Sequence, residues 1–223
     1  RNSVDQPIYP RRGSDFSVSV QLTPPYSLWD GKDYKSTALS EQERYNWIEF
    51  HKWMLKGQWF TPLTRNGNLV LMARAEMGYL GHYNKNKVSP FERFEVGGDG
   101  MTGYNMYGID IISMRGYDDG ALDPVGSNYS CAYNKYTMEL RYPLLLKGQT
   151  NIYVLGFLEG GNGFTSWKEF SPFKIKRSAG IGVRLFLPVV GMVGVDWGWG
   201  FDPAAGQTKR SGSHIHFTMG MQF

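Results

Sequence analysis

The sequence has few of the features that mark the commonest kinds of protein chain. Cys131 is the only cysteine among 223 residues, which excludes an intramolecular disulfide framework and a cysteine-rich zinc site. No stretch offers the roughly 20 consecutive apolar residues that a membrane-spanning helix needs. Basic residues exceed acidic residues only by 24 to 20 and form no dense run, so nucleic-acid binding has little support.

Aromatic residues and glycine, by contrast, are unusually abundant. Phe, Tyr and Trp make up 15% of the chain, and 28 of its 223 residues are glycine, about twice the usual share. A polar chain that is rich in both, without long apolar runs, is typical of two classes. One class is the soluble all-β protein, and the other is the transmembrane β-barrel.

Apolar residues alternate with polar residues or glycine along several segments. The clearest segment spans 214–223, where Ile215, Phe217 and Met219 alternate with histidine, threonine and glycine. A period of two places each set on one face of a β-strand. We therefore predict eight strands, most of them about 10 residues long, which is the length that crosses a bilayer when tilted. They lie at 15–22, 47–59, 69–79, 135–142, 152–159, 181–187, 193–201 and 214–223.

The weakest of these segments is 47–59. Its apolar set is interpreted as Ile48, Phe50 and Met54. The opposite face then carries glutamate, histidine and tryptophan at 49, 51 and 53.

The composition of the two faces indicates which one meets lipid. The apolar faces end in Trp, Tyr and Phe, like the aromatic girdles of outer-membrane barrels, whereas the polar faces carry glycines, tyrosines and single charges. Tight turns at 147–150 and 188–190 also contrast with long connections at 83–134, 164–175 and 202–212. Both features favour a transmembrane antiparallel β-barrel, with its apolar face outward, over a soluble β protein.

The connection at 83–134 is far longer than the others. Loops beyond about 15 residues in compact domains are usually functional or disordered. This one is too apolar for a solvated disordered segment, with Phe91, Phe94, Ile111 and Met114 among its residues. We therefore expect the loop to fold back into the lumen of the barrel.

Several motifs resemble a single family and occur in the family's order. They are Phe91-Glu-Arg-Phe-Glu-Val-Gly-Gly98, Met114-Arg-Gly-Tyr117, the aromatic-glycine-phenylalanine ending and the opening Tyr9-Pro10 with Gly13. On these residues the chain resembles the BamA family of outer-membrane assembly factors over essentially its whole length. The resemblance implies a sixteen-stranded barrel, with residues 1–223 as its C-terminal half. The POTRA domains and the N-terminal half of the barrel would then be absent from this chain.

The resemblance also implies which residues anchor the long loop. In the family an arginine-glycine-aromatic motif at the loop tip enters the lumen, and here that motif is Arg115, Gly116 and Tyr117. The family's arginine meets acidic residues on neighbouring strands, and the matching positions here are Glu139 and Glu159. Glu159 departs from the family's usual aspartate. Both glutamates also fall on the polar face by alternation, and a guanidinium fork suits two carboxylates in a confined lumen better than a lysine does.

The last predicted strand carries a second family motif, at Phe217, Gly220 and Phe223. The resemblance implies that this strand closes the barrel weakly and can part from it as a lateral gate. Glycine lowers the stability of a strand, and a released edge offers unpaired N–H and C=O groups to an incoming strand. The alternative is a simple closing strand. A further family motif, with a structural role, matches Gly180, Gly182, Arg184 and Pro188.

Two histidines of the last strand, His214 and His216, share one face. They fit a metal site only with a third ligand, which the sequence does not place, and we interpret them as polar lumen residues. Cys131 lies in the long loop without an assigned histidine partner, which favours a free thiol over a nucleophile. No metal, cofactor or catalytic arrangement is predicted.

The resemblance implies a function in the bacterial outer membrane, which is to fold and insert other β-barrel proteins without enzymatic chemistry. The expected partners are nascent outer-membrane barrel proteins, accessory assembly lipoproteins, the N-terminal half of the same barrel and the lipid bilayer. Two alternatives remain open. One is a related two-partner secretion pore that passes a soluble cargo, and the other is a stand-alone eight-stranded barrel that acts as an enzyme or adhesin.

Overall fold

The computed structural model describes residues 1–35, 39–101, 107–127, 129–147, 150–188 and 190–220. Within these ranges no helix is long and apolar enough to cross a membrane. In chain order the elements are β1 (Gly13–Leu22), a 3-10 helix (Tyr26–Leu28), α1 (Glu41–Arg44), β2 (His51–Pro62), β3 (Val70–Gly81), β4 (Phe94–Val96), β5 (Asp110–Ile112), β6 (Ala132–Lys147), β7 (Thr150–Phe164), a second 3-10 helix (Trp167–Glu169), β8 (Lys176–Leu187), β9 (Gly191–Pro203) and β10 (Arg210–Met219).

Eight of the strands form one sheet, in the order β1-β2-β3-β6-β7-β8-β9-β10. Every neighbouring pair in this sheet is antiparallel. The predicted eight strands and the all-β antiparallel fold are therefore confirmed. The short strands β4 and β5 pair with each other in parallel inside the connection from β3 to β6, and they were not predicted. Across the described ranges β1 and β10 do not pair with each other, so the sheet is not closed. The N-terminal segment lies along the outer edge of β1, where the backbone of Arg1 and Ser3 bonds to that of Phe16 and Ser14.

The outward face of this sheet is apolar. A water-soluble sheet would bury such a face, yet here its side chains keep between 40% and 66% of their surface exposed. The hydrocarbon of a bilayer is the environment that matches such a face. The residues that show this are Phe16, Val18, Leu55, Met138, Leu158, Ile181, Val195, Trp197, Ile215 and Phe217.

The inward face carries the polar and charged side chains, as the alternation predicts. On β6 the side chains of Thr137, Glu139 and Arg141 are buried, whereas Met138 and Leu140 between them are exposed on the outside. This arrangement, with a buried charged face and an exposed apolar face, is typical of the wall of a transmembrane barrel.

An apolar cluster fills part of the inner face at the end with the short turns, which the sequence analysis did not predict. Tyr9, from the segment that precedes β1, lies in this cluster and donates a hydrogen bond to the carbonyl of Arg141 at 3.0 Å. Its ring meets that of Tyr153 edge to face at a centroid distance of 5.2 Å. The other buried members are Phe60, Val70, Met72, Leu155, Phe157 and Met192.

The prediction for the segment 47–59 was wrong in its start and in its faces. The strand begins at His51, because Glu49 is buried in the preceding loop, where it accepts hydrogen bonds from Ser27. Trp53 is exposed on the outside, and Met54 lies on the inner face with the buried Lys52. The outward apolar set of this strand is Trp53, Leu55 and Trp59.

The outward orientation predicts a cost for charge on β9, which is paired on both sides. Arginine at Val195 would place a guanidinium in hydrocarbon near the middle of that strand, where such a substitution costs about 2–4 kcal/mol. We expect Val195→Arg to lower the urea midpoint for folding into lipid vesicles, measured by heat-modifiable gel mobility. The control is Val195→Ala, which keeps the position apolar. Equal midpoints for the two variants would contradict the lipid-facing assignment.

Candidate functional site

The connection from β3 to β6 folds into a compact unit with its own apolar core. β4 pairs with β5, and Phe94 exchanges backbone hydrogen bonds with Ser130 at 2.9 and 2.7 Å. The core of the unit lies against the inner face of β6, where the ring of Phe94 meets that of Tyr133. Its buried members are Leu80, Phe94, Val96, Ile112, Met114, Tyr117, Leu122 and Tyr133.

A buried carboxyl group, Asp123, ties this unit together. Its Oδ1 accepts hydrogen bonds from the hydroxyl of Ser130 at 2.5 Å and from the backbone N–H of Val96 at 3.2 Å. Burial raises the pKa of Asp123 to about 7. Because this value lies above that of a free carboxyl group, the contribution of Asp123 to stability decreases as pH rises between the two values.

The tip of the loop, residues 115–117, rests on a floor of glycines from β9. Gly116 has φ +87°, a conformation that favours glycine, and a Cβ atom at this position would lie 2.9 Å from the Cβ of Ser178. A Cβ on Gly198 would lie 2.7 Å from the backbone nitrogen of Gly116, and one on Gly200 would meet its carbonyl oxygen. Backbone therefore packs directly on backbone, which only glycines permit.

The structure brings Arg115 into contact with both Glu139 and Glu159. Nη2 of Arg115 lies 2.7 Å from an oxygen of each glutamate, and Nε lies 3.1 Å from Glu159. The backbone N–H of Arg115 donates to the other oxygen of Glu159 at 2.9 Å. All three side chains are almost fully buried. Removal of one partner from such a buried, hydrogen-bonded charge cluster leaves an uncompensated charge.

The guanidinium of Arg115 also lies over an aromatic ring and beside a third acid. Its Cζ is 3.7 Å from the centroid of Phe157, and its Nη1 is 3.6 Å from Asp196. Asp196 is fully buried, and Arg184 holds it through two hydrogen bonds at 2.6 and 2.7 Å. The structure thus gives Arg184, which was predicted to be structural, a charged partner beside the loop tip.

Glycines on the inner face of β8 make room for these contacts. A Cβ on Gly180 would lie 2.5 Å from Cζ of Phe157, the ring beneath Arg115. A Cβ on Gly182 would overlap Oδ1 of Asp196. Both glycines of the predicted motif therefore support the arginine cluster indirectly.

Further cations and a hydroxyl satisfy the remaining oxygens of the two glutamates. Arg141 donates from Nε to Glu139 at 2.8 Å. Thr137 donates to Glu159 at 3.2 Å, and Lys135 approaches the same carboxylate at 3.8 Å. Four cations, Arg115, Arg141, Arg184 and Lys135, thus surround the three carboxylates of Glu139, Glu159 and Asp196.

Tyr117 points away from the arginine cluster and belongs to the core of the loop. Its ring is fully buried, and its hydroxyl donates to the carbonyl of Arg177 on β8 at 2.8 Å. Burial raises the pKa of Tyr117 to about 12, so the phenol remains a neutral donor at ordinary pH. The tip motif is therefore held at three successive residues.

Both histidines of β10 meet the loop tip, a role that the sequence analysis missed. The backbone N–H of Gly116 donates to Nε2 of His216 at 2.8 Å. Nδ1 of His214 lies 3.1 Å from a carboxylate oxygen of Asp118. Their position on the polar face was predicted, but the distant chain segment that they meet was not.

A second anchor holds the loop near its base. Lys52, on the inner face of β2, is almost fully buried and lies 2.6 Å from Asp110 and 3.2 Å from Glu92. Its ammonium also lies 5.1 Å from the ring centroid of Phe94. The sequence did not indicate a role for Lys52, because the faces of the predicted strand 47–59 were reversed.

The remaining predicted residues lie away from this cluster. Phe217 points outward with 58% of its surface exposed. Gly220 directly follows β10 with φ +118°, and its N–H donates to the carbonyl of Met192. Pro188 is exposed at the end of β8. Phe223 lies outside the described residues. Within those residues no group of three or more His, Cys, Asp or Glu side chains could hold a metal ion.

An open antiparallel sheet with an apolar outer face and a buried charged inner face is a segment of a transmembrane β-barrel. The model of the Omp85 superfamily domain matches residues 1–223, and the chain therefore belongs to the Omp85 superfamily.

Two BamA proteins are similar to this chain. The outer membrane protein assembly factor BamA of Neisseria meningitidis serogroup B is 26% identical over 142 residues, which is 64% of this chain and 13% of the relative. A crystal structure of Haemophilus ducreyi BamA that lacks POTRA domains 1–3 matches with a TM-score of 0.63 at 18% identity. That match covers 97% of this chain and 39% of the crystallised chain. The fold is therefore that of a BamA-like barrel segment, and the chain spans less than half the length of either relative.

The buried arginine cluster predicts that Arg115→Ala detaches the loop tip. Loss of one partner from a buried charge cluster typically costs about 3–5 kcal/mol. We expect residues 82–131 to become sensitive to limited proteolysis in the folded protein, with cleavage sites identified by mass spectrometry.

The matched control is Arg177→Ala. Arg177 pairs with Asp202 at 2.9 Å, but its side chain is 65% exposed, and such surface pairs contribute little to stability. Equal protease resistance of the loop in the two variants would show that Arg115 does not anchor it.

Proposed function

We propose that this chain is the C-terminal half of an outer-membrane assembly factor that folds and inserts β-barrel proteins. Membership of the Omp85 superfamily supports this role over a stand-alone barrel, and the similarity to BamA proteins supports it over secretion. Across the described residues the sheet does not close on itself, and the segment 1–3 continues it beyond β1. Both features support a larger barrel, whose other strands would come from the N-terminal half. POTRA domains would precede that half.

The observation that carries the proposal is the edge of β10 beside a lipid-facing surface. Across the described residues β10 is paired only with β9, and its outward side chains Ile215, Phe217 and Met219 are exposed. A strand edge in this position offers N–H and C=O groups to an incoming strand at the depth of the membrane. We propose that β10 parts from the opposite edge of the complete barrel as a lateral gate.

The lengths of the strands support a further element of the mechanism. Within the described residues β10 has 10 residues, whereas β6 and β7 have 16 and 15. A shorter hydrophobic span thins the adjoining bilayer, which lowers the barrier to insertion at the edge of β10. Glycine at position 220 ends β10 in a conformation that a strand does not continue.

The seated loop supports a scaffold role rather than catalysis of a covalent reaction. Its buried charges are matched by partners in the barrel wall, and no bond is made or broken in strand templating. The proposed partners are nascent outer-membrane barrel proteins, accessory assembly lipoproteins and the lipid bilayer. The proposed location is the bacterial outer membrane.

The proposal predicts that nascent barrels contact β10 before the interior strands. In the full-length protein, a photo-crosslinking amino acid at Ile215 should capture a nascent barrel protein in cells. The control position is Val183, which is also outward and apolar but lies in β8, paired on both sides. Severalfold greater capture at Ile215 is the expected result. Equal capture at both positions would contradict a gate at β10.

The activity itself is measured separately. The full-length protein in lipid vesicles should accelerate the folding of a denatured barrel protein, scored by heat-modifiable mobility. Transfer of a soluble cargo across the vesicle membrane, without faster barrel folding, would favour the secretion pore instead.

A further inference from the structure

The tip of the long loop connects two strands that do not neighbour each other. The backbone N–H of Arg115 donates to Glu159 on β7, and the next N–H, of Gly116, donates to His216 on β10. β8 and β9 lie between these two strands in the sheet. Two consecutive backbone N–H groups of the loop tip thus bond to the first and the last of four neighbouring strands.

The contact on β10 is buried and geometrically specific. His216 is 5% exposed, and its Nε2 lies 2.8 Å from the nitrogen of Gly116. The strand register places His216 directly opposite Asp196 of β9, the acid that also approaches Arg115. The glycines at 198 and 200 allow the tip to descend to this level.

We propose that His216 is a positioning residue that couples the seating of the loop tip to the attachment of β10. While the tip is seated, β10 is held by its ladder with β9 and also, through the loop, by β7. Loss of the Gly116–His216 bond leaves the ladder and the contact of His214 with Asp118. The coupling itself is independent of the proposed function. Only the idea that β10 receives substrates rests on that function.

The chemistry of imidazole makes this coupling sensitive to protons. Nε2 of His216 accepts the hydrogen bond, so it carries no proton in the seated state. A proton added there would turn the acceptor into a donor facing the N–H of Gly116, and the bond would be lost. The ring of His214 lies 6.0 Å away, with Nδ1 against Asp118, so a charge on one histidine opposes a charge on the other.

Burial and the neighbouring His214 favour the neutral form of His216. Acidic groups on other elements face it and favour its protonated form. The titratable and charged groups around it are His214 on β10, Asp196 on β9, Glu159 on β7, and Asp99 and Arg115 in the loop.

The test is hydrogen exchange of the β10 amides, measured by mass spectrometry on the full-length protein in lipid nanodiscs. His216→Leu removes the acceptor and should speed exchange by about tenfold, the effect of one net hydrogen bond. His216→Gln keeps an acceptor oxygen and should restore protection. Thr218→Val, on the same inner face of β10, is the matched control and should exchange like the wild type.

The pH profile separates coupling from a merely structural role. Between about pH 7.5 and about pH 5, protection of β10 in the wild type should fall after correction for intrinsic exchange. In His216→Gln the fall should be clearly smaller, because an amide does not titrate in this range and only His214 can still change its contact with Asp118. Heat-modifiable mobility shows whether His216→Leu has folded. If it has not, the pH profile of His216→Gln serves as the test.

Unchanged exchange in His216→Leu, or an unaltered pH profile in His216→Gln, would overturn the inference. The exchange rates test the coupling independently of any insertion activity. A protein in which β10 exchange changes as described, but barrel insertion is absent, would retain the coupling and lose the proposed function.

Discussion

The structure depends on the burial of one charge, the guanidinium of Arg115. Taking an ion out of water is costly, and the cost is offset only when its hydrogen-bonding groups meet well-placed partners. Here Glu139, Glu159 and Asp196 approach it from three strands, and Phe157 lies beneath its plane. A lysine could offer neither the fork nor the flat face. These contacts therefore hold the loop tip at this position in the lumen.

That position dictates the composition of the wall around it. Glycines on β8 and β9 remove the side chains that would otherwise fill the inner face, so the tip and its partners can approach. The opposite face of the same strands carries Ile181, Val183, Val195 and Trp197 to lipid. Along each of these strands, residues that face hydrocarbon thus alternate with residues that leave room for the loop. This explains the glycines on the inner faces of β8 and β9.

Much of this arrangement was predictable from the sequence, because a period of two fixes the face of each residue regardless of distant contacts. The strands around Met138, Val195 and Ile215 follow it closely. For the strand at 51–62 the predicted faces are reversed, because Ile48 and Phe50, which lie before the strand, set the phase of the alternation together with Met54. The contacts of Lys52 and His216 could not be derived, because alternation gives a side but not the loop residue that meets it. The apolar cluster around Tyr9 was missed for the same reason.

The most direct test of the central claim is a double-mutant cycle between Arg115 and Glu159. Arg115→Ala, Glu159→Gln and the double variant are compared by urea unfolding from lipid vesicles. If the loop is held by this buried pair, the coupling energy exceeds about 2 kcal/mol, within the range of residues in contact. Additive effects, with coupling below about 0.5 kcal/mol, would contradict the account.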